Sequence, residues 1–116
     1  MSRTNPLNES DRAFVRAEIT STARALSSHG VPFLEGVRKL AALRFEVSQD
    51  HHDADFMLFV AIASQADHIP NTEARTLCAE SWLAQCDKDT RELEGFYGEE
   101  VALACKQLIE RFSREA

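Results

Sequence analysis

The middle of the chain contains eight consecutive apolar residues, at positions 56–63, with acidic residues on both sides. A helix without a polar residue over two turns must be covered by other elements on every side. A strand is the alternative for a short apolar run, but the alanines in it and the lack of flanking turn residues favour a helix. We therefore expect a buried helix here, with Asp50 or Asp53 as its N-cap.

The other segments also show helical spacing of apolar residues, and alanine, leucine, glutamate and arginine, which favour helices, dominate the composition. Gly30 and Pro32 separate the first two helices, and Pro70 precedes the fourth. The sequence predicts an all-α fold, an irregular bundle of about five helices in a single domain, with a flexible N-terminus at residues 1–8. Besides the central helix, helices are expected over residues 9–28, 33–47, 72–88 and 90–113.

The apolar stripes of these helices predict the core of the bundle. Gly36, inside the second helix, indicates that another backbone approaches closely, whereas Gly95 and Gly98 either break the last helix or admit a close neighbour. The residues expected to face inward are Phe14, Ile19, Ala23, Leu26, Phe33, Leu34, Val37, Leu40, Ala41, Phe45, Leu77, Cys78, Trp82, Leu83, Cys86, Leu93, Tyr97, Val101, Ala104, Leu108 and Phe112.

The charge distribution limits the classes of partner. The net charge is −6, and residues 45–74 contain six acids but no lysine or arginine. A nucleic-acid-binding protein needs a basic face, because phosphate contacts supply most of its affinity. No such face is evident, so we expect no nucleic-acid partner. An acidic surface is better suited to a basic protein partner.

Targeting signals and cysteine usage indicate a cytoplasmic protein. No window approaches the roughly 18 apolar residues that cross a bilayer, and the N-terminal segment does not resemble a secretory signal, so no membrane association is expected. Cys78, Cys86 and Cys105 are odd in number and lack the spacing of a disulfide framework or a metal pair. We interpret all three as small apolar residues of the core.

Two adjacent histidines precede the central helix and raise the question of a metal site. His51 and Asp55 stand four residues apart, a spacing that places two ligands on one helix face, and His52 is adjacent. A catalytic zinc site usually needs three protein ligands, and the H-E-x-x-H pattern is absent. A helix cap followed by an acid in the first turn, with the histidines in an exposed loop, explains the cluster better. We expect no cofactor.

Charged residues also lie on the apolar stripes of the second and third helices. If the two helices are antiparallel, Arg38 comes near Asp67 and Arg44 comes near Asp55, and charges on apolar stripes are normally paired. Such a network either fixes how the helices meet or lines a polar pocket. The candidate ligand-binding residues of that pocket are Glu35, Arg38, Arg44, Asp55, Asp67 and His68.

Several segments resemble a family of small, uncharacterised, all-helical proteins of proteobacteria. They are EGVRKLAALR at 35–44, DFMLFVAIASQADHIP at 55–70, Trp82, and ACKQLIERF at 104–112. The resemblance implies a helical fold and a bacterial source, and it carries no activity. Members of the family are more acidic around residues 63–67, where this chain has Ala63 and Gln65, and that departure weakens a metal or catalytic role for the segment.

Two functional hypotheses follow from these patterns. The first is a non-enzymatic protein–protein interaction module, of the immunity or adaptor type, whose acidic surface masks a basic partner; a homodimer is compatible with it. The second is a small-molecule or metal-binding protein, or an enzyme, that uses the polar residues between the second and third helices.

Overall fold

The computed structural model describes residues 9–47 and 53–115, and this part of the chain contains helices and turns but no strand. The helices are α1 (Glu9–Ser27), α2 (Phe33–Val47), α3 (Ala54–Gln65), α4 (Thr72–Arg75) and α5 (Glu80–Glu115). The prediction of an all-α bundle of five helices is confirmed. The predicted flexible N-terminus, residues 1–8, lies outside the described residues.

The turn between α1 and α2 ends α1 by a Schellman motif. The amide of Gly30 donates to the carbonyl of Ala25 at 2.7 Å, and the amide of His29 donates to the carbonyl of Leu26 at 3.3 Å. His29 has a φ of 62°, so it occupies the left-handed position that usually falls to glycine. Gly30 follows that position instead of filling it, and Pro32 then prevents the helix from continuing.

The predicted boundary between the last two helices is wrong. Asn71 caps α4 by accepting the amide of Ala74 at 2.8 Å, but α4 ends at Arg75 after four residues. The Thr76 hydroxyl then donates to the carbonyl of Glu73, a local bond that competes with helix continuation. From Glu80 onward α5 is continuous for 36 residues, so neither Gly95 nor Gly98 breaks it.

One apolar core lies between α1, α2, α3 and α5. Phe56, Phe59 and Ile62 of α3 are completely buried in it, together with Phe112 of α5. The expectation that α3 is buried on every side is only partly correct, because Ala61 on its outer face is exposed. The fully or nearly fully buried residues from the other helices are Val15, Ile19, Ala23, Leu26, Leu34, Val37, Leu40, Ala41, Cys86, Val101, Cys105 and Leu108.

Four residues that were expected to face inward are exposed. On α1 the inward position is taken by Val15, one residue after the expected Phe14. On α5 the inward stripe begins at Cys86, so Trp82, one turn earlier, is 42% exposed, and Leu77 lies in the turn before the helix and is 88% exposed. Phe45 is in the last turn of α2, where its ring lies against Arg44. Within the described ranges, no helix is long and apolar enough to cross a membrane.

The glycines of α2 and α5 differ in the space around them, and this difference predicts opposite effects of alanine. A Cβ at Gly36 would lie 3.0 Å from Leu26 Cδ1 and 3.1 Å from Val31 Cγ1, both on packed side chains, so the close neighbour is not a backbone. A Cβ at Gly95 or Gly98 would have no neighbour within 4 Å.

We expect Gly95→Ala to raise the free energy of unfolding by about 0.5–1 kcal/mol, because alanine loses less backbone entropy in a helix. Gly36→Ala should lower it, since overpacking a buried contact costs about 1–3 kcal/mol and exceeds that gain. Urea denaturation of the two variants and the wild type measures both effects. Equal stabilisation by the two substitutions would contradict the packing described around Gly36.

Candidate functional site

The predicted pair of Arg38 and Asp67 does not form. The Arg38 guanidinium donates to the carbonyl of Ala66 at 2.8 Å and to the carbonyl of Ile69 at 2.7 Å, while Asp67 is exposed. The last carbonyls of a helix have no partner within the helix, and a cation is favourable beside them. Arg38 therefore closes the C-terminal end of α3 instead of pairing with an acid.

The predicted pair of Arg44 and Asp55 is replaced by a pair with α5. Arg111 donates to both carboxylate oxygens of Asp53 at 3.1 Å and to Asp55 at 2.8 Å. Burial alone would lower the pKa of Arg111, but its hydrogen bonds to the two carboxylates outweigh burial and raise the pKa, so the guanidinium stays charged. Arg44 donates to the carbonyl of Ala41 in its own helix and lies over the ring of Phe45.

The start of α3 is a helix cap, as expected. Asp53 is the N-cap, and its Oδ1 accepts the amide of Asp55 at 3.1 Å. His51 and His52 lie outside the described residues, so the metal hypothesis for these histidines with Asp55 stays a prediction. Within residues 9–47 and 53–115 there is no group of three side chains able to hold a metal ion.

The six candidate ligand-binding residues are not brought together between α2 and α3. Glu35 is exposed in the first turn of α2, and Arg38 and Asp55 are engaged at opposite ends of α3. His68, in the turn after α3, makes its contact with α5, where its Nε2 lies 2.9 Å from Asp89 Oδ2. His68 lines a cavity that lies between the end of α3 and α5.

This cavity, which we call the α3–α5 groove, is an open depression of about 330 Å³. Its lining combines acids, aromatic rings and amide or imidazole groups, and includes no lysine or arginine. The lining residues are Gln65, His68, Asp89, Glu92, Leu93, Phe96 and Tyr97.

Hydrogen bonds fix the polar side chains of the groove. Asp89 Oδ2 lies 2.9 Å from His68 Nε2, and Asp89 Oδ1 accepts a hydrogen bond from the Gln85 amide at 2.9 Å. The hydrogen bond from His68, and then that from Gln85, hold the pKa of Asp89 below its ordinary value, so its carboxylate is ionised at neutral pH. Across the groove, the Gln65 amide donates to the Tyr97 hydroxyl at 2.6 Å.

Aromatic rings extend the groove along α5. Phe96 is 74% exposed, and its ring lies edge-to-face with Tyr97, with centroids 4.7 Å apart at an interplanar angle of 89°. Trp82 lies 6.0 Å from the His68 ring. Trp82, Asp89 and Phe96 are spaced by seven residues, which places them along one face of a continuous helix. The predicted break near residue 89 separated them, and therefore sequence reasoning missed this face.

Acidic residues lie on α5 as well as in the segment 45–74. In the segment 45–74, Asp53 and Asp55 are both paired with Arg111. The first part of α5, residues 80–100, carries seven acids and two bases, and Glu92, Glu99 and Glu100 in it are exposed. Of these acids, Asp89 and Glu92 line the α3–α5 groove.

No family model, curated protein or solved structure matches this chain. The resemblance to a proteobacterial family stays a prediction.

The correction for Arg38 predicts the outcome of a double-mutant cycle. Arg38→Leu should lower the free energy of unfolding by about 1–3 kcal/mol, because it leaves two carbonyls without their donor. Asp67→Leu should change it by less than about 0.5 kcal/mol, as for an ordinary surface substitution. The change in the free energy of unfolding of the double variant should equal the sum of the two single changes to within about 0.5 kcal/mol. Arg24→Leu, at an exposed arginine in the last turn of α1, is the control for replacing an arginine by leucine on a helix. If the double variant is instead about as stable as the wild type, the result would support the predicted Arg38–Asp67 pair.

The three cysteines should differ in reactivity. Cys86 and Cys105 are completely buried, and burial raises the pKa of both thiols, that of Cys105 to about 11. Cys78 is half-buried in the turn after α4. We expect a chromogenic disulfide reagent to titrate Cys78 in the native protein and all three thiols in denaturant. Cys78→Ser should abolish the native reaction, and a remaining fast thiol would show that the core around α5 opens readily.

Proposed function

We propose that this protein is a non-enzymatic protein–protein interaction module that binds a basic segment of a partner in the α3–α5 groove. The observation that carries the proposal is the combination, at one place on α5, of an open cavity, an exposed Phe96 ring and ionised carboxylates. Exposed aromatic side chains beside a cavity are the usual anchors of protein interfaces.

The charge of the groove favours a basic partner. Asp89 is held ionised by His68 and Gln85, and Glu92 stands one helical turn further along α5. Because no lysine or arginine lines the groove, its carboxylates can act on a partner. A patch of one sign speeds the association with a partner of the opposite sign and selects against partners of like charge.

The shape of the groove favours a segment of protein over a small molecule. Small-molecule sites usually enclose most of their ligand in a deep, mainly apolar cavity. This groove is a depression on the helix surface, and the exposed ring of Trp82 continues its aromatic lining toward the start of α5. An elongated surface of this kind suits an extended or helical segment.

An immunity-type or adaptor protein is the concrete form of this proposal. Such a protein acts by covering a functional basic surface of its partner, and a chain with a net charge of −6, with seven acids and two bases in residues 80–100, suits that role. The alternative, a small-molecule or metal-binding protein that uses residues between α2 and α3, has less support because Arg38 and Asp55 are already engaged by groups of the chain itself.

The test uses a short peptide of alternating leucine and arginine, with a leucine–glutamate peptide of equal length as the control. Trp82 is the only tryptophan, and it stands beside His68, so its fluorescence reports on the groove. We expect a saturable change with the basic peptide that weakens as salt is raised, and no change with the acidic one.

Charge reversal then locates the binding surface. Glu92→Lys should weaken binding of the basic peptide by about tenfold, which corresponds to about 1.4 kcal/mol and combines a lost attraction with a new repulsion. Glu46→Lys, at an exposed acid of α2, changes the net charge by the same amount and should have little effect. Absence of binding to the wild type, or equal weakening by the two variants, would refute the proposal.

A further inference from the structure

The geometry points to a more specific ligand, and this inference rests on the proposed function: the α3–α5 groove holds one arginine side chain of the partner protein, with its guanidinium between the Phe96 ring and the carboxylates of Asp89 and Glu92. Three features of the groove favour an arginine, namely the carboxylate of Asp89 held by hydrogen bonds, the Phe96 ring against Tyr97, and a lining without lysine or arginine.

One of the two acceptors, Asp89, is preformed. His68 and Gln85 each occupy one oxygen of Asp89 and so fix the orientation of the carboxylate. An ionised carboxylate has about four lone-pair sites, so further donors can still be accepted. Glu92 is three residues further along α5 and therefore on the same helix face. A ligand with several donors in a plane can reach both carboxylates, whereas a single ammonium acts as one point charge.

The aromatic surface is fixed as well. Phe96 lies one turn beyond Glu92, and its ring is held edge-to-face against Tyr97, whose hydroxyl is held by Gln65. A planar guanidinium stacks on a phenyl ring while its edge donates to carboxylates. The same stacking occurs twice within the chain. The Cζ atom of Arg44 lies 3.9 Å from the ring centroid of Phe45, and the Cζ atom of Arg111 lies 4.6 Å from the ring centroid of Phe112. Leu93, between Asp89 and Phe96, offers an apolar surface for the aliphatic stem.

Another groove of the described structure, between α1 and α2, includes a lysine in its lining. It has a volume of about 450 Å³ and includes Phe14 and Glu18, but Glu18 already accepts the ammonium of Lys39 at 2.8 Å. A partner cation there would compete with a lysine of the same chain. Among the residues that line the α3–α5 groove, the basic one is His68, and its imidazole contacts Asp89.

Three peptides that differ in one residue test the inference. A fixed basic peptide carries arginine, lysine or citrulline at its central position, and calorimetry measures its affinity for the full chain. We expect lysine to bind about two- to fivefold more weakly than arginine, as the loss of guanidinium stacking implies. Citrulline keeps the shape without the charge and should bind at least about tenfold more weakly.

Phe96→Leu separates this inference from the proposed function. The substitution removes the ring at an exposed position and keeps an apolar side chain, so the fold should be retained, as circular dichroism would show. The preference for arginine over lysine should then disappear, while binding of the basic peptide persists. Phe14→Leu, at another exposed phenylalanine, is the matched control and should leave the preference intact.

Each outcome bears on one of the two proposals. Equal affinities for arginine and lysine in the wild type, or a preference that survives Phe96→Leu, would overturn the arginine site while leaving a basic-segment binder in place. If Glu92→Lys and Glu46→Lys behave alike, the groove is not the binding surface, and both proposals fall.

Discussion

Two arginines from different helices hold the two ends of α3, and the rest of the structure depends on this arrangement. Arg111, near the end of α5, binds the acids at the start of α3, and Arg38 of α2 binds the carbonyls at its end. The body of α3 is too apolar to be exposed, and its polar ends would be costly to bury without partners. The acids that Arg111 binds complement the helix dipole at the start of α3, and Arg38 complements it at the end, so the apolar helix can be fixed between α2 and α5.

This arrangement also determines where the free negative charge lies. Two carboxylates near the start of α3 are used to hold the helix, so the acidic segment that contains them is not a uniform binding surface. The acids of α5 are on the outer side of the bundle, and one of them, Asp89, is fixed by His68 from the turn after α3. The turn after α3, which Arg38 binds through the carbonyl of Ile69, therefore also supplies His68 to the wall of the groove.

The continuity of α5 gives the groove its aromatic surface. A break near residue 89 would turn Trp82 and Phe96 in different directions, whereas one helix places both on the same face as Asp89. The bidentate pair of Arg75 with Asp87, at 2.8 and 3.2 Å, holds the short α4 against this helix. The hydrogen bond holds the pKa of Asp87 below its ordinary value, so the pair is charged at neutral pH.

Local patterns in the sequence were sufficient for the fold class and for the first three helices, and they narrowed the cap of α3 to Asp50 or Asp53. These features depend on contacts within a few residues: the spacing of apolar side chains, a proline that ends a helix and a carboxylate that accepts a nearby amide. They were also sufficient for most of the core, because burial follows the helical period.

Tertiary structure decided the pairing of charges, the length of α5 and the groove. Arg38 had an acid and two carbonyls within reach, and the packing of α2 against the end of α3 selected the carbonyls. Asp55 received Arg111 from 56 residues away, a partner that no local spacing indicates. The sequence left open whether Gly95 and Gly98 break the last helix, and the packing of Cys86, Val101 and Cys105 in the core keeps α5 continuous. The candidate site joins groups from α3 and α5 that are distant in sequence, so it exists only once the helices have packed.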